Sequence, residues 1–138
     1  MMYLKFDEIT FEAAHYLPGY DGKCAGIHGH TYTVKDLVIR VSEFLDDQGI
    51  IVDFGKITGY FAKEWDHKFL IPVAGIGYWE DIYEHTGFKP MIDNRKVVNY
   101  GSDEYCAERI RDELMVLHPN IAEVHFTLYE GKNHGVSV

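Results

Sequence analysis

A chain of 138 residues can bury one core and is too short for two, so a single domain over 1–138 is expected. With 46% hydrophobic and 14% aromatic residues and 4 prolines, a disordered or Pro-rich repeat chain is excluded. Acidic residues outnumber basic ones 22 to 13, a net charge of −9 that would repel nucleic acid and anionic membranes, so neither is an expected partner. A small anion held by local lysines and amides stays open. Two cysteines, Cys24 and Cys106, are too few for a secreted disulfide framework. The first eight residues lack a basic stretch followed by an apolar one, and no apolar run reaches spanning length. A cytoplasmic protein with free thiols and no membrane partner is expected.

In chain order, Ile9, Phe11, Ala13 and His15 share one face of a strand, while Leu4 and Phe6 upstream sit on the other parity. That phase change near Asp7-Glu8 predicts a bulge or two registers. Pro18 to Lys23 reads as loop. A second strand runs from His28 to about Val41, with an irregularity near Lys35-Asp36, and Ile50-Ile51-Val52 reads as a short buried strand or its end. Asp53 predicts an N-cap for a helix striped by Phe54, Ile57, Phe61 and Trp65. No clean period holds from Ile71 to Gly101, where Gly75, Gly77, Gly87 and Pro90 punctuate the chain and Tyr78–His85 could form a short helix; a stretch so long predicts a lid or binding insertion. Ser102 predicts the cap of another helix, with Asp103 and Glu104 in its first turn and Cys106, Ala107, Ile110, Leu114 and Leu117 as its apolar stripe. The last strand puts Val124, Phe126, Leu128 and Glu130 on one face. This order predicts an α+β fold, an antiparallel sheet with its helices on one face.

Chemistry concentrates in His28-Gly29-His30, whose rings share one strand face, and in His15, which ends the preceding strand. Paired as a hairpin, these strands would bring three imidazoles to about 2.0–2.1 Å from one Zn²⁺ and leave its fourth position open, as catalytic sites do. Three unrelated histidines are the alternative. Cys24, four residues before His28, could close the site as a structural ligand, act as a thiolate base or nucleophile beside it, or be a small buried residue. Cys106 reads as core filler. Asp66-His67 could form a proton relay, but adjacent side chains on a regular element diverge, so a direct bond needs irregular backbone; a helix end with a favourable histidine is the alternative. Glu130 stands where its strand predicts an apolar residue, so it needs a partner such as the guanidine-like edge of a pterin or guanine, unless the strand simply ends in solvent there. His85, His118, His125 and His134 have no comparable support, and His125 alternates outward.

The ordered motifs Phe11-Glu12-Ala13-Ala14-His15, Cys24-x-x-x-His28-Gly29-His30-Thr31-Tyr32, Val52-Asp53-Phe54-Gly55, Asp66-His67-Lys68-Phe69-Leu70, Ser102-x-Glu104 and Glu130 resemble the 6-pyruvoyl- and 6-carboxy-tetrahydropterin synthase family. The resemblance covers nearly the whole chain. It implies the tunnelling fold: a four-stranded antiparallel sheet with two helices on one side, three subunits closing a twelve-stranded barrel, and two trimers stacking as a homohexamer with active sites between subunits. It implies His15, His28 and His30 as zinc ligands, Cys24 as the catalytic cysteine, and Asp66 and His67 as the proton-shuttling pair. Glu130 would anchor the pterin ring, with Ser102 and Glu104 as the second pterin-contacting motif. Three residues, Ala25-Gly26-Ile27, separate Cys24 from His28, as in the carboxy-forming enzymes of the queuosine and archaeosine routes, whereas the animal pyruvoyl enzyme has a longer gap. The resemblance therefore implies 6-carboxy-5,6,7,8-tetrahydropterin synthase acting on 7,8-dihydroneopterin triphosphate, with 6-pyruvoyl-tetrahydropterin synthase as the alternative and a non-catalytic Cys-His₃ zinc protein as a third reading. Lys23, Lys68 and Lys132 are triphosphate candidates by proximity. The chain departs from the family pattern where Gly101-Ser102 replaces Pro-Thr, where Asp103 adds a negative charge, and where the stretch from Leu70 to Gly101 is longer than in compact bacterial members.

Overall fold

The computed structural model describes residues 1–88 and 94–138; Pro90, one of the expected breaks, lies outside them. The first two strands form the predicted hairpin, β1 (Met2–His15) against β2 (His28–Val41). Their ladder keeps one register from Met2↔Val41 to His15↔His28, interrupted only opposite Asp7, where Asp36 takes a left-handed φ of 51°. That residue accounts for both irregularities read from the sequence: the phase of β1 changes beside it, and the β2–β5 register shifts between Lys35 and Val38.

Among the described residues six strands form one mixed sheet, where four antiparallel strands were expected. Besides the hairpin it contains β3 (Lys68–Pro72), β4 (Arg95–Val98), β5 (Ile121–Glu130) and β6 (His134–Ser137), in the order β4-β3-β1-β2-β5-β6. The β1–β3 and β3–β4 pairs are parallel, because the chain crosses over through α1 (Phe54–Glu64) between β1-β2 and β3 and through α2 (Ile76–Thr86) between β3 and β4. Ile50–Val52 makes no strand; only Val52 is buried.

Three helices, not two, are present among the described residues, and they do not share one face. Helix α1 starts where Asp53 Oδ1 accepts from Gly55 N at 2.7 Å, and it buries Ile57, Tyr60 and Phe61. Helix α3 (Asp103–Met115) is capped by Ser102, whose Oγ accepts from Tyr105 N at 3.4 Å, and buries Cys106, Ala107, Ile110 and Leu114. Both pack over the face that carries Phe11, Tyr32, Val34, Leu70, Phe126 and Leu128. Trp79 of α2 instead packs with Phe69, Ile71 and Ala14, a second apolar cluster on the opposite face, and donates to Tyr16 Oη at 3.0 Å. Strand β3 is thus covered on both sides, which is why Phe69-Leu70-Ile71 is an unbroken apolar run.

Candidate functional site

The hairpin register decides the site. His15 lies directly across from His28, and Ala13, small enough to leave room, lies across from His30. All three rings project to the core face, with centroids 4.5 Å (His15–His28), 5.0 Å (His15–His30) and 4.8 Å (His28–His30) apart. Strand β5 adds Glu130, paired with Tyr32. One ligand atom from each of His15, His28, His30 and Glu130 lies within 4.8 Å of the others.

The remaining contacts test whether this donor set fits a cation. Nδ1 of His15 lies 2.7 Å from Gly101 O, and Nδ1 of His28 lies 2.7 Å from Gly26 O, so both rings carry their proton there and turn bare Nε2 atoms inward, 2.9 Å apart. Nε2 of His30 is 2.7 Å from Glu130 Oε1 yet out of line for a hydrogen bond, a buried nitrogen without a partner. Burial holds the pKa of His15 and of His30 below the ordinary histidine value, so both remain neutral donors. The bare Nε2 atoms of His15 and His28, the unpartnered Nε2 of His30 and a carboxylate oxygen converge, an arrangement that a divalent cation satisfies. Gly101 contributes by closeness: a Cβ there would stand 2.9 Å from Tyr16 O and 3.7 Å from His15 Cβ, so the missing side chain lets its backbone lie against the end of β1.

Glu130 sits beside a second acid. Asp103 Oδ1 is buried without a partner, and burial followed by the neighbouring Glu130 raises the Asp103 pKa to about 8. Burial opposes the charge on Glu130, but Asp103 as donor and His30, His15 and His134 nearby hold its pKa below the usual carboxylate range. His134 stands opposite Glu130 in the β5–β6 ladder. The sequence held that signal in the turn Gly131-Lys132-Asn133 between two alternating stretches, but β6 was too short to stand out.

Asp66-His67 is a bonded pair: His67 Nδ1 lies 2.8 Å from Asp66 Oδ2. The irregular backbone this requires is there, since His67 takes a left-handed φ of 59°. The pair lies beside Glu12 and Thr31, whose side chains alternate away from the imidazole cluster, so a single chain keeps the pair and the cluster on different faces of β1. A cavity of about 620 Å³ opens there, and its lining includes Glu12, Thr31, His67, Lys68 and Phe88 together with His30 of the cluster. Cys24 is half-buried in a 3₁₀ turn (Lys23–Ala25), its carbonyl accepting from Leu17 N at 3.1 Å, and it is outside the four-residue cluster. Cys106 is buried in the core, which pushes its thiol up to about 12. Ser102 is occupied in capping α3, while Glu104 is exposed and makes no hydrogen bond among the described residues. His125 faces outward, as its parity predicts.

The family described as 6-pyruvoyl tetrahydropterin synthase matches residues 6–138. A probable 6-carboxy-5,6,7,8-tetrahydropterin synthase of Halobacterium salinarum is 38% identical over 63 residues, 46% of this chain and 39% of the relative. The enzyme of that name from Rickettsia bellii is 31% identical over 85 residues, 59% of this chain and 60% of its own. These two alignments span less than two thirds of either relative. The Rickettsia typhi enzyme is 28% identical over 138 residues, with 94% of this chain and 95% of the relative covered. The crystal structure of 6-pyruvoyl tetrahydropterin synthase from Plasmodium vivax superposes with a TM-score of 0.61 at 16% identity, covering 100% of this chain and 98% of that one, which establishes a shared fold.

Proposed function

Because the chain belongs to the 6-pyruvoyl tetrahydropterin synthase family, a family of lyases, we propose that it is a zinc-dependent 6-carboxy-5,6,7,8-tetrahydropterin synthase. Its substrate is 7,8-dihydroneopterin triphosphate, and its products are carboxytetrahydropterin, acetaldehyde and triphosphate. The observation that carries this reading is the convergence of three inward-facing imidazole nitrogens beside Glu130. The names of the similar proteins from Halobacterium and Rickettsia favour the carboxy-forming activity.

His15, His28 and His30 hold Zn²⁺, oriented through Gly101 O and Gly26 O. When bound, the ion supplies Lewis acidity that lowers the barrier to removing a proton next to the substrate's side-chain hydroxyls. Cys24 is the base that takes that proton. Asp66 orients His67, which handles the second proton. Glu130 accepts from the N–H edge of the pterin, and Ser102 and Glu104 border that edge. Lys68, in the cavity beside His67, is the best placed of the three triphosphate candidates; Lys23 lies in the Cys24 turn and Lys132 in the β5–β6 hairpin.

Copies of the chain assemble as trimers and then as a homohexamer. What supports this is the edges of β4 and β6, which pair with no further strand among the described residues, together with the separation of Asp66-His67 from the imidazole cluster. The enzyme works in the cytoplasm, on the route to 7-deazaguanine nucleosides such as queuosine and archaeosine. Among the described residues, no helix is long and apolar enough to cross a membrane.

Incubation with 7,8-dihydroneopterin triphosphate, followed by mass analysis of products, tests the reading. Acetaldehyde in step with triphosphate release, lost on chelation and restored by Zn²⁺, is the expected result. Triphosphate release without acetaldehyde would assign the pyruvoyl-forming activity instead, and turnover unaffected by chelation would remove the metal.

A further inference from the structure

Glu12 is bound to the Asp66-His67 pair through three contacts. Its N–H donates to Asp66 Oδ1 at 2.9 Å, and its carbonyl accepts from His67 N at 2.6 Å. Its Oε2 lies 4.0 Å from His67 Nε2, the ring nitrogen that Asp66 leaves free. Thr31 Oγ1 donates to the other carboxylate oxygen at 3.4 Å. The backbone bonds hold His67 at φ 59°, a conformation that a side-chain-bearing residue seldom adopts without such support.

We propose that Glu12 is a positioning residue which, with Asp66, brackets both nitrogens of His67 and keeps the ring as an imidazolium, so that His67 donates a proton to bound substrate instead of accepting one. This inference rests on the proposed function and assigns direction to its proton shuttle. The charged groups facing the ring are the carboxylates of Asp66 beside it and Glu12 on β1, while Lys68 at the start of β3 lines the same cavity. The hydrogen bond and charge of Asp66, then the charge of Glu12, hold the His67 pKa above the ordinary histidine value. At 4.0 Å Glu12 is too far to accept the Nε2 proton directly, so that proton stays available to a substrate oxygen entering between them. On transfer the proton leaves Nε2, the ring becomes neutral with Nδ1–H kept on Asp66, and solvent restores the proton. The base is then Cys24 alone, and the two proton transfers fall to groups of opposite character.

Titration of the His67 ring by NMR in the zinc-loaded wild type and Glu12→Gln tests the coupling without turnover. The expected result is a fall of about 0.7 of a pH unit in the variant, the scale of one charge at this distance in water. Glu12→Asp, which keeps the charge, should recover part of it. In the pH profile of kcat/KM the alkaline limb should move down with that fall, because an acid fails when it loses its proton. An unchanged His67 titration overturns the proposal, as does movement of the acid limb in place of the alkaline one. If the wild type turns over no pterin triphosphate, the proposed function falls, and the titration still decides whether Glu12 governs His67.

Discussion

Asp103 brings a second carboxyl group into the surroundings of Glu130, and its protonation ties stability to pH. Its folded pKa of about 8 stands above the ordinary 3.8, with burial as the first cause. A carboxyl raised in this way stabilises fully below its unfolded value, and the contribution is lost as pH rises through the folded value. Glu130 has the opposite sign: its lowered pKa gives a contribution present above 4.5, so it does not titrate between pH 5 and 8. His15 and His30, lowered by burial, and His67, raised by Asp66, are shifted as well, so the comparison must be with a variant that changes Asp103 alone. In chelated protein, wild type should lose stability relative to Asp103→Asn as pH rises from 5 to about 8, as followed by urea unfolding. Parallel curves would show that Asp103 is ionised throughout.

At the scale of elements, Glu113 joins three of them. From α3 it accepts from Tyr60 Oη of α1 at 2.7 Å, from Trp65 Nε1 at 3.2 Å, and from Arg109 Nε at 2.9 Å. Lys96 of β4, 8% exposed, reaches both its oxygens at 3.3 Å and lies 4.6 Å from the Trp65 ring centroid. Burial opposes the charge on Glu113, but Tyr60, Arg109 and Lys96 outweigh it and lower the pKa. Glu113→Gln should therefore cost about 2–3 kcal/mol at pH 7, since it leaves Lys96 without its closest carboxylate. The contribution is present above the unfolded value near 4.5 and lost as pH falls through the folded one, so wild type and variant should converge in unfolding experiments toward pH 3.

The same network explains what the sequence left hidden. Helices α1 and α3 were legible because Asp53 and Ser102 cap them and an apolar stripe follows each cap. Strand β4 was not, because Lys96 occupies a core-facing position whose partner is 17 residues away on α3. Strand β3 escaped because burial on both faces removes alternation, and β6 because four residues carry too little pattern. The histidine cluster was visible through period-two spacing, whereas Glu12, Asp103 and His134 approach it or His67 only through tertiary pairing.

For the whole molecule, the division of chemistry between two faces of β1 is the governing fact. Phe11, Ala13 and His15 face the core, while Glu12 and the Asp66-His67 pair lie on the other side, where the His67 side chain is 76% exposed. An acid so open to water acts efficiently only when something covers it, and the six-stranded sheet ends in two edges able to pair with further copies. If one copy supplies the imidazole cluster and Cys24 while another supplies Asp66 and His67, each site needs both chains. Cys24→Ala and His67→Ala should then each be inactive alone, with zinc content unchanged. Unfolded together and refolded as mixed oligomers, they should recover activity, because chance pairing places an intact Cys24 against an intact His67 in some sites. Recovery should track the fraction of mixed assemblies as the ratio of variants is changed. Mixed oligomers that form and stay inactive at every ratio would mean that each chain completes its own site, and the cavity beside Glu12 would then need another occupant.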